Sequence, residues 1–452
     1  MGVLIRISRG GPFVKWKSPV SAIAAIFLLS ATCARGQVAL FTAVDQALRN
    51  SAAVRMATAD VQRAAAAVTE SKDIYLPSFV LGSSVGYSYG FPIGQPSIVN
   101  VTSQSLIFSF SQMDYIRSAR AALRSAQLAL ADAREQVILD AALDYIQLDT
   151  DRRRIEVLDD QNGAASKIAI IEQQRLDAGV GTREDLLRAR LTSAQLRLKR
   201  LHVTNEIDEV RERLAHLTGL PADSLVTEPQ TIPPSPDLER NEPSSLVATM
   251  TAMNTEGVRS AYANAQSRQY QAFGDARQNY RPQFAFGGNY SRFAEFNNYQ
   301  EYYSHFQHNN FEAGLQITLP LFDASKRAKE SQSRAESMHA SAQADQLRDQ
   351  SSENIVSLEK SLLELAAQKE VAQLQTELAQ SQLDTIVTQL NSASATPGAS
   401  PLTPREEQLA RIEERRRFEE VIDANFELMK AELSLLRATG GIESWYKTTG
   451  NP

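Results

Sequence analysis

The run QMDYIRSARAALRSAQLALADAREQVILD, residues 112–140, opens a stretch to about Asp177 that holds no proline and one glycine, Gly163. Ile116, Ala119, Leu123, Ala126, Leu130, Ala133 and Val137 recur in alternating steps of three and four. That is a coiled-coil seam in which alanines interleave with large residues, so neighbouring helices can approach closely. A helix from Gln112 to Asp177 spans roughly 100 Å at about 1.5 Å per residue. A second such rod is predicted from Asp323 to about Leu390, free of proline and glycine. Its seams are Ala328, Ser331, Ala335, Met338 and Ala342, then Ile355, Leu358, Leu362 and Leu365.

Working outward from the two rods, the chain repeats itself at a period of about 200 residues. Tyr75-Leu76-Pro77 closes a helical pattern in the first half, and Tyr280-Arg281-Pro282 closes one in the second. Two alternating segments follow each, then the rod, a break and a shorter helix. The predicted strands run over 78–90 and 98–110, and over 283–293 and 309–319. Phe79, Leu81, Val85, Tyr87 and Tyr89 alternate with small or polar residues, as do Phe311, Ala313, Leu315, Ile317 and Leu319. Period-two alternation over about ten residues is the pattern of a membrane β-strand, weak singly and stronger in four matched places.

The shorter helices add up to the rods. Thr42–Ile74 and Thr182–Leu217 span roughly 50 and 54 Å, and Ser244–Asn279 with Pro404–Arg437 together reach roughly 105 Å. Each half therefore forms a strip two helices wide. Two strips still leave open edges, and four strands cannot close, because small membrane barrels need about eight. Several copies in a ring solve both problems, and three copies give about twelve strands.

The N-terminus reads as an export signal. Arg6, Arg9, Lys15 and Lys17 precede an apolar stretch from Val20 to Ala31, too short to span a bilayer, and Ala34-Arg35-Gly36 supplies the small residues of a cleavage site. A short membrane anchor is the alternative. Cys33, the single cysteine, lies inside this segment; lipidation there is a second alternative, which Ser30-Ala31-Thr32 fits poorly. Cleavage after Gly36 removes the thiol and five basic residues, moving the formal net charge from −6 to about −11. An acidic chain of this kind is not a general nucleic-acid binder. No later segment is a transmembrane helix. The organisation is thus 1–36 signal peptide, 37–220 first repeat, 221–243 Pro-rich and irregular linker, 244–440 second repeat and 441–452 polar tail.

At this point the chain resembles the TolC-like outer-membrane efflux proteins over nearly its whole mature length. The sharpest local match is Ala178-Gly179-Val180-Gly181-Thr182-Arg183-Glu184-Asp185-Leu186-Leu187, similar to the family's turn at the periplasmic tip; Pro320-Leu321-Phe322-Asp323 is also family-like. The resemblance implies a mainly α fold with a small membrane β-barrel portion: a homotrimer with a 12-stranded barrel in the outer membrane, continued by a helical tunnel through the periplasm. It implies as partners a periplasmic adaptor protein, an inner-membrane transporter and outer-membrane lipid. Gly179, Val180, Gly181, Thr182, Arg183, Asp185 and Leu186 become the candidate adaptor-binding tip. The same residues also make a sound helical hairpin unaided, with glycines for the reversal and Thr182 as cap. The second tip departs from the family: a long Pro-rich polar segment, 391–403, precedes Thr403, Pro404, Arg405 and Glu406. Asp384 is a candidate pore constriction, with a solvated helix face as the plainer reading.

Chemistry is sparse. His305 and His308 lie close together but lack further metal ligands, and no phosphate loop, nucleophile elbow or paired-carboxylate motif occurs in a suitable context. The expectation is no catalytic residue, no metal and no cofactor. Three functions compete: an exit duct for small molecules, an exit duct for a secreted protein, and a structural coiled coil that would need no membrane strands.

Overall fold

The computed structural model describes residues 37–83, 97–234, 245–293, 307–392 and 403–449. The signal segment with Cys33, the far parts of both predicted hairpins (including Tyr299, Tyr302, Tyr303, His305 and Phe306), linker residues 235–244 and the second-tip segment 393–402 lie outside the described residues.

The two rods are present at the expected length. They are α3 (Phe110–Asp177, 68 residues) and α7 (Ala324–Ser392, 69 residues). Ser109 caps α3, its hydroxyl accepting from the Gln112 N–H, so the strand before it gives way to helix one residue early. The shorter helices α4 (Arg183–Thr218) and α8 (Pro404–Ala438) also match their predicted bounds.

The two helices expected to be unbroken are each broken once. Ser51 separates α1 (Leu40–Asn50) from α2 (Ala52–Asp73), and Thr255 separates α5 (Ser245–Asn254) from α6 (Glu256–Gln278). Both residues adopt extended ψ, 131° and 143°. Short hydroxyl side chains favour such breaks because they offer local hydrogen bonds that compete with the helix; Thr255 Oγ1 donates to the Ala252 carbonyl at 2.8 Å. The break falls at the same place in each repeat.

Rod α3 packs along α2 and α4 on one side and along α6 and α8 on the other, while α7 packs along α6 and α8. The result is a sheet of helices four wide whose two outer edges are open. At the upper end β2 (Ser78–Gly82), β3 (Ser97–Ser109), β5 (Gln283–Phe293) and β6 (Asn309–Thr318) form one antiparallel sheet in the order β2-β3-β5-β6. The register places Leu81, Val101 and Tyr290 in line with Phe311, and Phe286 opposite Leu315, on one face. The other face carries Asn100, Thr102, Gln104, Asn289, Ser291, Glu312 and Gln316, with Val80, Leu106, Ala285 and Phe293 as apolar exceptions. Asn100 donates to Asn289 Oδ1 and to Ser291 Oγ, both at 3.0 Å. One apolar and one polar face is the alternation of a strand between lipid and water. No helix among the described residues is long and apolar enough to cross a membrane.

Mid-height along α3 lies the main core: Leu40, Val44 and Ala47 of α1, Ile138, Tyr145 and Leu148 of α3, Val210 and Leu214 of α4, and Leu433 of α8. Tyr145 is its hub. Its hydroxyl donates to the Val38 carbonyl at 2.7 Å and accepts from the Glu228 N–H at 2.8 Å. Two sequence expectations need correction here. The linker is not wholly irregular: β1 (Gln37–Val38) pairs in parallel with β4 (Val226–Thr227). The C-terminal tail, as far as it is described, is also not irregular chain. Ile442–Thr449 form helix α9, Ile442 is fully buried, and Tyr446 stacks on Phe41 at 5.0 Å. Ile442, Trp445 and Tyr446 share one helical face, which is enough to dock a short helix on an existing core.

Candidate functional site

The reversal from α3 to α4 is built by its glycines. Gly179 has φ of 72°, and the Val180 and Gly181 N–H groups both donate to the Arg175 carbonyl at 3.0 and 2.9 Å. A left-handed residue just past a helix satisfies the last free carbonyls in this way. A Cβ on Gly181 would meet Arg175 Cβ at 2.9 Å, so only glycine fits the close return of the chain.

Thr182 caps α4. Its hydroxyl accepts from the Asp185 N–H at 3.1 Å and donates to Asp185 Oδ2 at 2.6 Å. That hydrogen bond holds the Asp185 carboxyl below its ordinary range, and Arg405 and Arg188 add to the effect. Leu186 turns inward and is buried, whereas Val180 is 70% exposed and Arg183 also faces solvent. The candidate tip residues are thus brought together as one compact turn.

The second tip is joined to the first. Thr403 and Glu406 form a capping box, with Pro404 as first helical residue. Arg405 reaches across to Glu172, whose side chain is 1% exposed, at 3.0 Å, and lies 3.8 Å from Asp185. Further along α8, ion pairs to the first repeat accompany the apolar packing of Leu433: Arg415–Asp160 at 3.2 Å, Glu419–Lys199 at 2.7 Å, Asp423–Arg154 at 2.6 Å and Arg437–Asp132 at 3.2 Å. Asp384 is exposed on α7 in a polar groove of about 660 Å³ with Thr376, Gln380, Thr385 and Thr388.

The free edges carry apolar surface that the sequence reading did not single out. On α4, Leu186, Ala189, Val203 and Ile207 are buried, while Leu187, Leu191, Leu198 and Leu201 are 55–69% exposed. Their steps of four, seven and three were legible as a second heptad stripe. On α7 the first seam expected to be packed, Ala328, Ser331, Ala335, Met338 and Ala342, is instead exposed. The chain packs α7 through Ser333, Ala340, Ala344, Ile355 and Leu362. A seam on each side was needed, and only one neighbour exists within the chain.

Residues 43–220 match the family model described as Outer membrane efflux protein. Solved structures with the same fold span almost the whole chain. The Campylobacter jejuni CmeC outer membrane channel is 13% identical with a TM-score of 0.73, covering 91% of this chain and 89% of that one. CusC is 16% identical with a TM-score of 0.71, over 90% and 92%. The outer membrane protein VceC from Vibrio cholerae is 17% identical with a TM-score of 0.69, over 89% and 96%. No curated protein matches the chain in sequence.

Proposed function

We propose that this chain is a TolC-like outer-membrane efflux protein, a transport channel and not an enzyme, serving as the exit duct of a tripartite efflux system. It works as a homotrimer, receives small molecules from an inner-membrane transporter through a periplasmic adaptor, and passes them passively across the outer membrane. The observation that carries this reading is the pair of matched open edges. Among the described residues strands β2 and β6 end the sheet unpaired on their outer sides, and the exposed stripes of α4 and α7 lie on the two edges of the helix sheet below. Open strand edges are templates for pairing with another chain, and exposed apolar stripes mark surfaces that another chain covers.

The adaptor is assigned to the first tip. Val180, Thr182, Arg183 and Leu187 are exposed there, on a turn held rigid by its own backbone hydrogen bonds. At the second tip Arg405 is turned toward Glu172 and Asp185, which leaves Pro404 and Glu406 as its exposed pair.

The test uses the absence of thiols after Gly36. Arg183→Cys carries a thiol-anchored photo-crosslinker in cells, and captured proteins are identified by mass spectrometry. Capture of the adaptor of a small-molecule pump is expected. Capture of a protein-secretion adaptor would move the cargo to polypeptides. Recovery of only further copies of this chain would sink the tip as a docking site.

A further inference from the structure

The four-stranded sheet carries one charged residue on its polar face among the described residues. The row Thr102, Asn289, Glu312 runs straight across β3, β5 and β6 by the strand register. Residues two positions away on the same face are Gly287, Ser291, Asn310 and Gly314, and no lysine or arginine shares that face. Phe311, Ala313, Leu315 and Ile317 alternate with it on the opposite, apolar face. Because successive side chains of a strand point to opposite faces, Glu312 is turned away from lipid wherever Phe311 and Ala313 face it.

We propose that Glu312 sets the charge selectivity of the barrel, three copies forming an acidic ring that admits cations and repels anions. The inference rests on the trimeric channel proposed above. Rings of carboxylates at one level of a pore favour cations by direct Coulomb attraction. Twelve strands about 4.8 Å apart and tilted about 40° give a backbone radius of roughly 12 Å. The carboxylates extend inward from that wall, so the axis lies within about a Debye length at 0.1 M salt, about 10 Å, but not at 1 M, about 3 Å. The row across the sheet is otherwise neutral, and the glycines beside Glu312 leave its carboxylate as the largest polar group at its level.

The experiment is a planar-bilayer measurement of the K⁺ to Cl⁻ permeability ratio under a KCl gradient. It uses the wild type and an Arg405→Ala background, in which the ionic tie between the two tips is released. The ratio is expected to exceed about 3 near 0.1 M and to approach about 1 near 1 M. Glu312→Gln should bring the low-salt ratio to about 1, and Glu312→Lys should invert it, with single-channel conductance retained. Asp384→Asn, at the candidate constriction, tests the competing site and should lower the ratio less than Glu312→Gln does. Conducting Glu312→Gln and Glu312→Lys channels with the wild-type ratio would overturn the assignment. So would loss of selectivity in Asp384→Asn alone. Failure of the folded wild type and Arg405→Ala proteins to conduct at all would instead remove the channel on which the assignment depends.

Discussion

Ser118 and Ser267 exchange a reciprocal pair of hydrogen bonds across the junction of the two repeats. Ser118 Oγ donates to the Ser267 carbonyl at 2.8 Å, and Ser267 Oγ donates to the Ser118 carbonyl at 2.9 Å. One heptad along, Ser125 and Ser260 repeat the arrangement at 2.9 and 2.8 Å. Rod α3 and the shorter helix α6 are thus closely paired, and each buried hydroxyl is satisfied by the facing backbone. Ser118→Ala is expected to cost about 1 kcal/mol, one hydrogen bond. Ser118→Leu should cost more, about 1–3 kcal/mol from overpacking alone. Thermal unfolding of the purified protein gives the order: Leu below Ala below wild type.

At the first tip, Gly181→Ala should distort the turn, because its Cβ would sit 2.9 Å from Arg175 Cβ. Gly179→Ala meets open space and carries only the strain of a positive φ, about 1 kcal/mol. Adaptor binding by surface plasmon resonance should therefore fall further in Gly181→Ala. Equal losses would contradict the steric account.

Removal of the Arg405 side chain leaves the buried Glu172 carboxylate with only the longer contact to Arg175, at 3.9 Å. Breaking one partner out of a buried pair typically costs about 3–5 kcal/mol, and the 32% exposure of Arg405 places this case near the lower end. Hydrogen exchange in Arg405→Ala should rise across residues 168–190 and 403–412 while the mid-height core stays protected. Protection unchanged at both tips would show that the pair contributes nothing to holding them together.

Glu135 should make stability fall as pH rises. Burial, with Asp132 and Glu256 nearby, pushes its carboxyl up to about 7, against the opposing Arg437. Its folded value lies above the ordinary carboxylate value, so the folded chain holds a proton that the unfolded chain has lost. Stability present near pH 4.5 is then lost progressively as pH climbs through 7. Glu135→Gln should match wild type near the lower limit and exceed it by on the order of 2 kcal/mol per chain at pH 8. Melting curves at the two pH values test the sign as well as the size.

The free edge of α7 is the place to break the trimer without unfolding the chain. Ala335 is exposed in the protomer, so Ala335→Arg has room within one chain. A cation set into a close helix seam should abolish the trimer, leaving a detergent-solubilised monomer of unchanged helical content. Cross-linking and sedimentation decide it; a persistent trimer would move the interface elsewhere.

What the sequence determined by itself was everything carried by periodicity. The unbroken heptads after Gln112 and Asp323 dictate rods of fixed length, the alternation after Pro77 and Pro282 dictates strands, and the internal repeat dictates two of each. Gly179, Gly181 and Thr182 announce the tip because backbone reversal and capping are local requirements. Tertiary structure alone decided which seam faces which neighbour. Ser331 and Ala335 read as core by spacing, yet stand exposed because spacing names a face and not its occupant. It also decided that Arg405 meets Glu172, that Ile442 and Tyr446 close the mid-height core, and that Glu312 stands in one row with Thr102 and Asn289. Those pairings join residues far apart in the chain, and their partners are fixed by how helices and strands pack, not by any local pattern.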